Sequence, residues 1–137
     1  MINISQDIEN AIREEGQKAY PNECCGILIG LLENDKRIIK ENIAIKNAQT
    51  NEEQYHRFLI EPQDLMKAEF LARKKGFDIL GFYHTHPDCP AKPSQYDTER
   101  AFVFYSYIIL SVQKGEAKEL KSWRLSEDRE FEIEEIY

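Results

Sequence analysis

The chain has 137 residues, 42% hydrophobic and 31% charged, which suits a single domain (1–137) with one buried core and excludes general disorder. Its net charge of -7 speaks against a protein that grips nucleic-acid phosphates. No apolar run reaches membrane-span length, the acidic start MINISQDIENAIREEG is no secretory leader, and three cysteines build no disulfide framework, so the expectation is a cytoplasmic protein with no membrane partner.

Ser5 can cap a first helix, with Asp7 and Glu9 in its first turn, Ile4, Ile8, Ala11 and Ile12 as its apolar stripe and Pro21 marking its end. Residues 24–33 (CCGILIGLLE) are a continuous apolar run and predict a buried strand. Asn34-Asp35 signals a turn, and residues 37–45 return as a second strand. Residues 46–56 are polar loop, and His56 to Ile60 reads as a short strand. Pro62 opens a second helix, which Gly76 closes after Arg73, Lys74 and Lys75. Residues 78–86 (DILGFYHTH) form the next strand, Ser94 to about Tyr105 a short helix, and residues 107–113, 119–125 and 130–136 three further strands joined by KGEAK and SEDR. This order predicts an α/β fold, a mixed, mainly antiparallel sheet flanked by helices.

The chemistry concentrates in GFYHTHPDCPAKPSQYD, residues 81–97. His84 and His86 stand at i and i+2, which on a strand puts both imidazoles on one face. Catalytic zinc needs three protein ligands and an open position, and Asp97, at the start of a helix opened by Ser94, is the third candidate. Two neutral rings and one carboxylate leave such a site net positive, which acidifies water and polarises a carbonyl. A general base is then needed, and Glu23, at the mouth of the first buried strand, is the candidate. Ser94-x-x-Asp97 is equally a capping box, and the prolines at 87, 90 and 93 by themselves mark a stiff loop. Cys89 reads as a loop thiol, with inhibitory zinc ligation or redox switching as the minority reading. His56 reads as structural or exposed, Trp123 as core, Tyr83 as packing behind the ligands, and one of Cys24 and Cys25 as facing the core.

On these residues the chain resembles the JAMM metalloproteases, the catalytically active MPN domains. Glu23, His84-Thr85-His86-Pro87, six further residues, Ser94, two residues and Asp97 stand at that family's spacing, and PNECCGILIG is similar to its Glu-x-Cys-Gly segment. The resemblance implies a cytidine-deaminase-like α/β domain with Zn2+ on His84, His86 and Asp97. It implies that Glu23 activates water and passes the proton to the leaving amine, and that Ser94 hydrogen-bonds the oxyanion. HTHPDCPAKPS resembles the short bacterial and archaeal members, which act on the C-terminal tails of ubiquitin-like sulfur carrier proteins. It therefore implies a peptidase or isopeptidase that cuts the amide after Gly-Gly, with the tail extended beside a strand edge and glycine passing a narrow groove. The insertions by which eukaryotic relatives clamp ubiquitin are missing, and residues 46–56 are the candidate substrate-facing segment. A non-catalytic MPN scaffold is the alternative, although such members have typically lost ligands that this chain keeps. Nucleoside deamination requires H-x-E and P-C-x-x-C, neither of which is present. A DNA-repair branch of the superfamily shares the histidine and Ser-x-x-Asp core, and the acidic charge counts against it.

Overall fold

A computed structural model describes residues 1–137. Its elements run β1 (Ile2–Asn3), α1 (Gln6–Ala19), β2 (Cys25–Glu33), β3 (Lys36–Ile45), α2 (Pro62–Lys74), β4 (Asp78–Pro87), α3 (Gln95–Arg100), β5 (Ser106–Gln113), β6 (Glu116–Leu125) and β7 (Phe131–Glu134). The strands form one sheet in the order β1-β3-β2-β4-β5-β6-β7. β1–β3 and β4–β5 pair in parallel and every other pair is antiparallel, so the sheet is mixed and mainly antiparallel, as its sequence pattern predicts. No helix is long and apolar enough to cross a membrane.

Local chemistry sets the helix ends. The Ser5 hydroxyl accepts from the Ile8 amide at 3.2 Å, and Asp7 and Glu9 lie in the positive first turn of α1. Pro62 begins α2, where a missing amide costs nothing, and Gly76 at φ +73 ends it in a conformation open to glycine.

Helices cover both faces of the sheet. Ile8 and Ile12 of α1 join Leu28, Ile39, Leu80, Tyr83, Ile108, Leu110 and Val112 on one face. Ala68 and Ala72 of α2 pack on Ile27 and Ile29 on the other, with Ile79 and Phe82 nearby. The central strands are buried on both sides, which is why 25–30 and 106–112 read as unbroken apolar runs rather than alternating ones. In the β2–β4 pairing Leu28 faces Gly81 and Ile29 faces Ile79, which leaves Leu80 as a bulge. The bulge shifts the alternation, so Leu80 and Tyr83 share the α1 face.

Several boundaries differ from the sequence reading. The helix after Ser94 stops at Arg100, because Ala101 is already extended, and does not reach Tyr105. β6 starts at Glu116, since Lys114 and Gly115, both at positive φ, reverse the chain in two residues instead of the longer KGEAK turn. β7 ends at Glu134. His56 to Ile60 is not a strand: its one ladder-like contact is the Leu59 carbonyl accepting from the Ala48 amide at 2.9 Å. The two-residue β1 is too short to carry a pattern, yet it pairs with β3. Ile2 bridges Ile136, its amide donating to the Glu135 carbonyl at 2.9 Å and its carbonyl accepting from Tyr137 at 3.0 Å. The chain ends are thereby tied beside β1, while Ile39 to Ile45 of β3 have no strand on their outer side.

Candidate metal centre

β4 carries His84 and His86 at the end where it leaves the sheet core. His84 pairs with Cys25 of β2 and Ile109 of β5, and His86 with Ser111. Both imidazoles are buried. Thr85 between them points to the opposite face, where its hydroxyl accepts from the Cys24 amide at 2.9 Å while its own amide donates to the Cys24 carbonyl at 3.1 Å. The same residue that separates the two histidines therefore ties down the neighbour of Glu23.

His84 Nε2, His86 Nε2 and Asp97 Oδ2 form a triangle with sides of 3.1, 3.2 and 3.1 Å. Tetrahedral ligands about 2.0–2.1 Å from zinc stand roughly 3.3 Å apart, so the triangle has the spacing of three zinc ligands with the fourth position open. The protonation pattern agrees. His86 Nδ1 lies 2.9 Å from the Pro90 carbonyl, which can only accept, so Nδ1 donates and Nε2 of the neutral ring offers a lone pair. Three acceptor atoms converging in a buried place need a proton or a cation between them, and the donor set fits zinc.

The capping box is present as well. The Ser94 hydroxyl accepts from the Asp97 amide at 3.1 Å, and Asp97 Oδ2 accepts from the Ser94 amide at 2.9 Å. Capping and ligand geometry are one arrangement: the box fixes the carboxylate that faces the histidines. Ser94 is exposed and its hydroxyl proton is left free to donate.

Charge is strongly perturbed here. Burial alone would raise the Asp97 carboxyl, but the two histidines and the Ser94 amide outweigh it and hold it far below the usual range. Burial lowers His84, while for His86 the bond to Asp97 and the Pro90 carbonyl overcome burial and raise it. Glu23 is 5% exposed and its Oε1 has no hydrogen-bond partner. Burial, with a smaller push from Asp97, drives its carboxyl up to about 8 against the opposing pull of His86. A carboxyl with that environment beside the triangle is poised to trade a proton near neutral pH.

Residues the sequence reading valued little complete the site. Phe58 stacks on His84 with ring centroids 4.5 Å apart at 26°, on a ring whose Nδ1 is buried without a partner. Stacking thus orients His84 where a hydrogen bond orients His86. The loop that presents the Pro90 carbonyl is pinned on both sides. Ser111 donates to the Cys89 carbonyl at 2.6 Å, Trp123 Nε1 to the Ala91 carbonyl at 3.0 Å, and the Ala91 amide to Glu119 at 3.1 Å. Trp123 is half-buried and works through its N–H, beyond plain core packing. Cys24 and Cys25 are both buried, and burial pushes Cys25 up to about 12. Cys89 is exposed, and His56 is exposed beside Glu53.

A groove of about 780 Å³ opens at the triangle, lined by Phe58, Ile60, Leu65, Phe82, Tyr96 and Phe102 with His84 and Asp97. Along it the backbone amides and carbonyls of Phe58 and Ile60 have no protein partner, while Leu59 between them is bonded to residues 47 and 48. One edge of this segment is held and the other is free.

Residues 5–126 match the family model for prokaryotic homologs of the JAB domain. A desampylase from Haloferax volcanii is 29% identical over 115 residues, covering 80% of this chain and 80% of the relative. The solution structure of a protein from Desulfitobacterium hafniense superimposes with a TM-score of 0.87 at 29% identity, covering 100% of this chain and 92% of that one. A JAB1/MPN domain protein from Archaeoglobus fulgidus shares the fold at a TM-score of 0.60 and 20% identity, over 98% of this chain and 94% of the other. The chain belongs to the prokaryotic JAB-domain family.

Proposed function

We propose that this member of the prokaryotic JAB-domain family is a zinc metallopeptidase of JAMM type. It hydrolyses the amide bond after the C-terminal Gly-Gly of a ubiquitin-like or sulfur carrier protein. The observation that carries the reading is the triangle of His84, His86 and Asp97 beside the buried Glu23, whose Oε1 has no partner, at the mouth of an apolar groove. Its likeness to desampylases supports the same reading.

Zinc on His84 Nε2, His86 Nε2 and Asp97 Oδ2 would supply a Lewis acid that acidifies water and polarises the scissile carbonyl. Glu23 accepts a proton from the attacking water at its carboxylate. As the water oxygen bonds to the carbonyl carbon and the C–N bond breaks, Glu23 returns that proton to the leaving amine. The Ser94 hydroxyl donates to the carbonyl oxygen as negative charge builds there. The extended tail pairs with the free backbone groups of Phe58 and Ile60, a strand added to a ready edge. Apolar side chains of the groove take the flanking residues of the tail.

The test is a carrier protein extended by one residue beyond Gly-Gly, followed for release of that residue. Cleavage should stop with a chelator and return with zinc. Glu23→Gln should retain one zinc per chain and lose turnover, whereas His86→Ala should lose both. Full activity in Glu23→Gln would remove the assigned base.

A further inference from the structure

We propose that Asn47 is a positioning residue that locks the backbone of Glu23 to the free-edged segment 57–60, so that the amide shaping the tail-receiving edge also sets the base. This rests on the peptidase reading above.

Every hydrogen-bonding function of the Asn47 side chain is used. Nδ2 donates to the Glu23 carbonyl at 3.1 Å and to the Arg57 carbonyl at 3.0 Å. Oδ1 accepts from the Gln49 amide at 3.1 Å and from the Leu59 amide at 3.1 Å. The Glu23 amide is held from the same loop, donating to the Gln54 carbonyl at 2.7 Å. Gln54 is itself fastened by its Nε2 to the Asn47 and Gln49 carbonyls at 3.3 and 2.9 Å. Glu23 lies ahead of β2, which begins at Cys25, so no sheet ladder holds it. Both of its backbone polar groups are gripped by residues 47–54.

This grip matters because the Glu23 carboxyl has little else to aim it. Its Oε1 is buried with no partner, so the position of the backbone fixes the position of the acid. Asn47 does not line the groove, so it acts through Glu23 and Leu59 and not on the substrate. A tail seated on Phe58 and Ile60 bears on Leu59, whose amide is one bond from Asn47 and two from Glu23. Asp in place of Asn47 would set carboxylate oxygens against the Glu23 and Arg57 carbonyls, turning two bonds into repulsions.

The experiment combines amide hydrogen exchange by NMR with steady-state kinetics and zinc analysis on wild type, Asn47→Ala, Asn47→Asp and the control Ser122→Ala. Ser122 donates to Glu134 in a buried network of β5, β6 and β7, so its loss lowers stability without touching the loop. In wild type the amides of Glu23, Gln49 and Leu59 should be protected, and all three should slow further together when a carrier tail ending in Gly-Gly is added. Both Asn47 variants should keep wild-type zinc, lose protection at the Glu23 amide, and lose about 10–100-fold in kcat with a raised KM, while the Gln49 and Leu59 amides lose protection in Asn47→Ala and keep it in Asn47→Asp, which retains their acceptor oxygen. Ser122→Ala should keep wild-type kcat. Wild-type kcat in Asn47→Asp, or Gln49 and Leu59 amides that exchange like open loop in wild type, would overturn the assignment. If neither Asn47 variant folds, the wild-type exchange data decide alone: independent responses of the three amides to the tail would overturn it. A wild type that binds zinc but cleaves nothing would strike the substrate reading, while the exchange pattern still decides the Asn47 bridge.

Discussion

Gly26 lies opposite Tyr83 in the β2–β4 register. A Cβ there would stand 2.1 Å from Tyr83 Cζ and 2.3 Å from its hydroxyl oxygen. Carbon contacts need about 3.5 Å, so Gly26→Ala forces the ring to retreat by more than about 1 Å. The ring has nowhere to go: Tyr83 is fully buried and its hydroxyl donates to Glu15 at 2.7 Å. Overpacking costs about 1–3 kcal/mol, and losing a hydrogen bond to a charged group about 1.5–3, which gives roughly 2.5–6 kcal/mol. With an unfolding entropy near 0.29 kcal/mol/K for a chain of this length, Tm should fall by about 9–21 °C. Calorimetry on Gly26→Ala, Tyr83→Ala and the double variant tests the cause. Tyr83→Ala alone costs about 3–5 kcal/mol through its cavity, but it makes room for the new methyl, so the double variant should cost little more than Tyr83→Ala. Strictly additive losses, or a Gly26→Ala within about 1 kcal/mol of wild type, would refute the reasoning.

Three further outcomes are expected. In the metal-free chain, Glu23 folds with its carboxyl raised to about 8 against an ordinary 4.5, so the folded state holds a proton that the unfolded chain releases. Wild type should then lose stability as pH rises from about 4.5 through 8, and denaturation curves should show Glu23→Gln gaining on it across that window, with no gain below it. Trp123→Phe combined with Glu119→Ala frees both ends of Ala91 and loosens the Pro90 carbonyl that orients His86, so competition titration should give about 10-fold weaker zinc binding. Ser94→Ala should keep zinc and lose about 10²-fold in kcat, with a cap loss of about 1 kcal/mol visible in urea melts.

How much of this was legible in the sequence depends on whether the signal is local. Ser5, Pro62 and Gly76 mark helix ends because caps and positive φ are decided within a few residues. The i, i+2 histidines and the Ser94-x-x-Asp97 box are likewise local, and the fold brings the two together at hydrogen-bond distance. Segment 56–60 reads as a short strand from the sequence, but an apolar run such as Phe58-Leu59-Ile60 cannot reveal that only one edge finds a partner. Phe58 stacked on His84, Trp123 reaching Ala91 and Asn47 bridging Glu23 to Leu59 all join residues far apart in the chain. Asn47 in particular sits in a polar stretch with no periodicity, and its partners are main-chain groups whose identity leaves no trace in the sequence. β1 and its bridge to Ile136 escape for the same reason, since two residues carry no period.

The most direct measurement is intact-mass spectrometry of a ubiquitin-like carrier bearing one residue after Gly-Gly. The carrier is incubated with the wild-type chain, with wild type plus chelator, and with Glu23→Gln. The account predicts a product ending at Gly-Gly with wild type alone, and unchanged mass in the other two. A product that also forms under chelation or with Glu23→Gln would contradict a zinc-dependent, glutamate-assisted peptidase, as would a cut at any other bond.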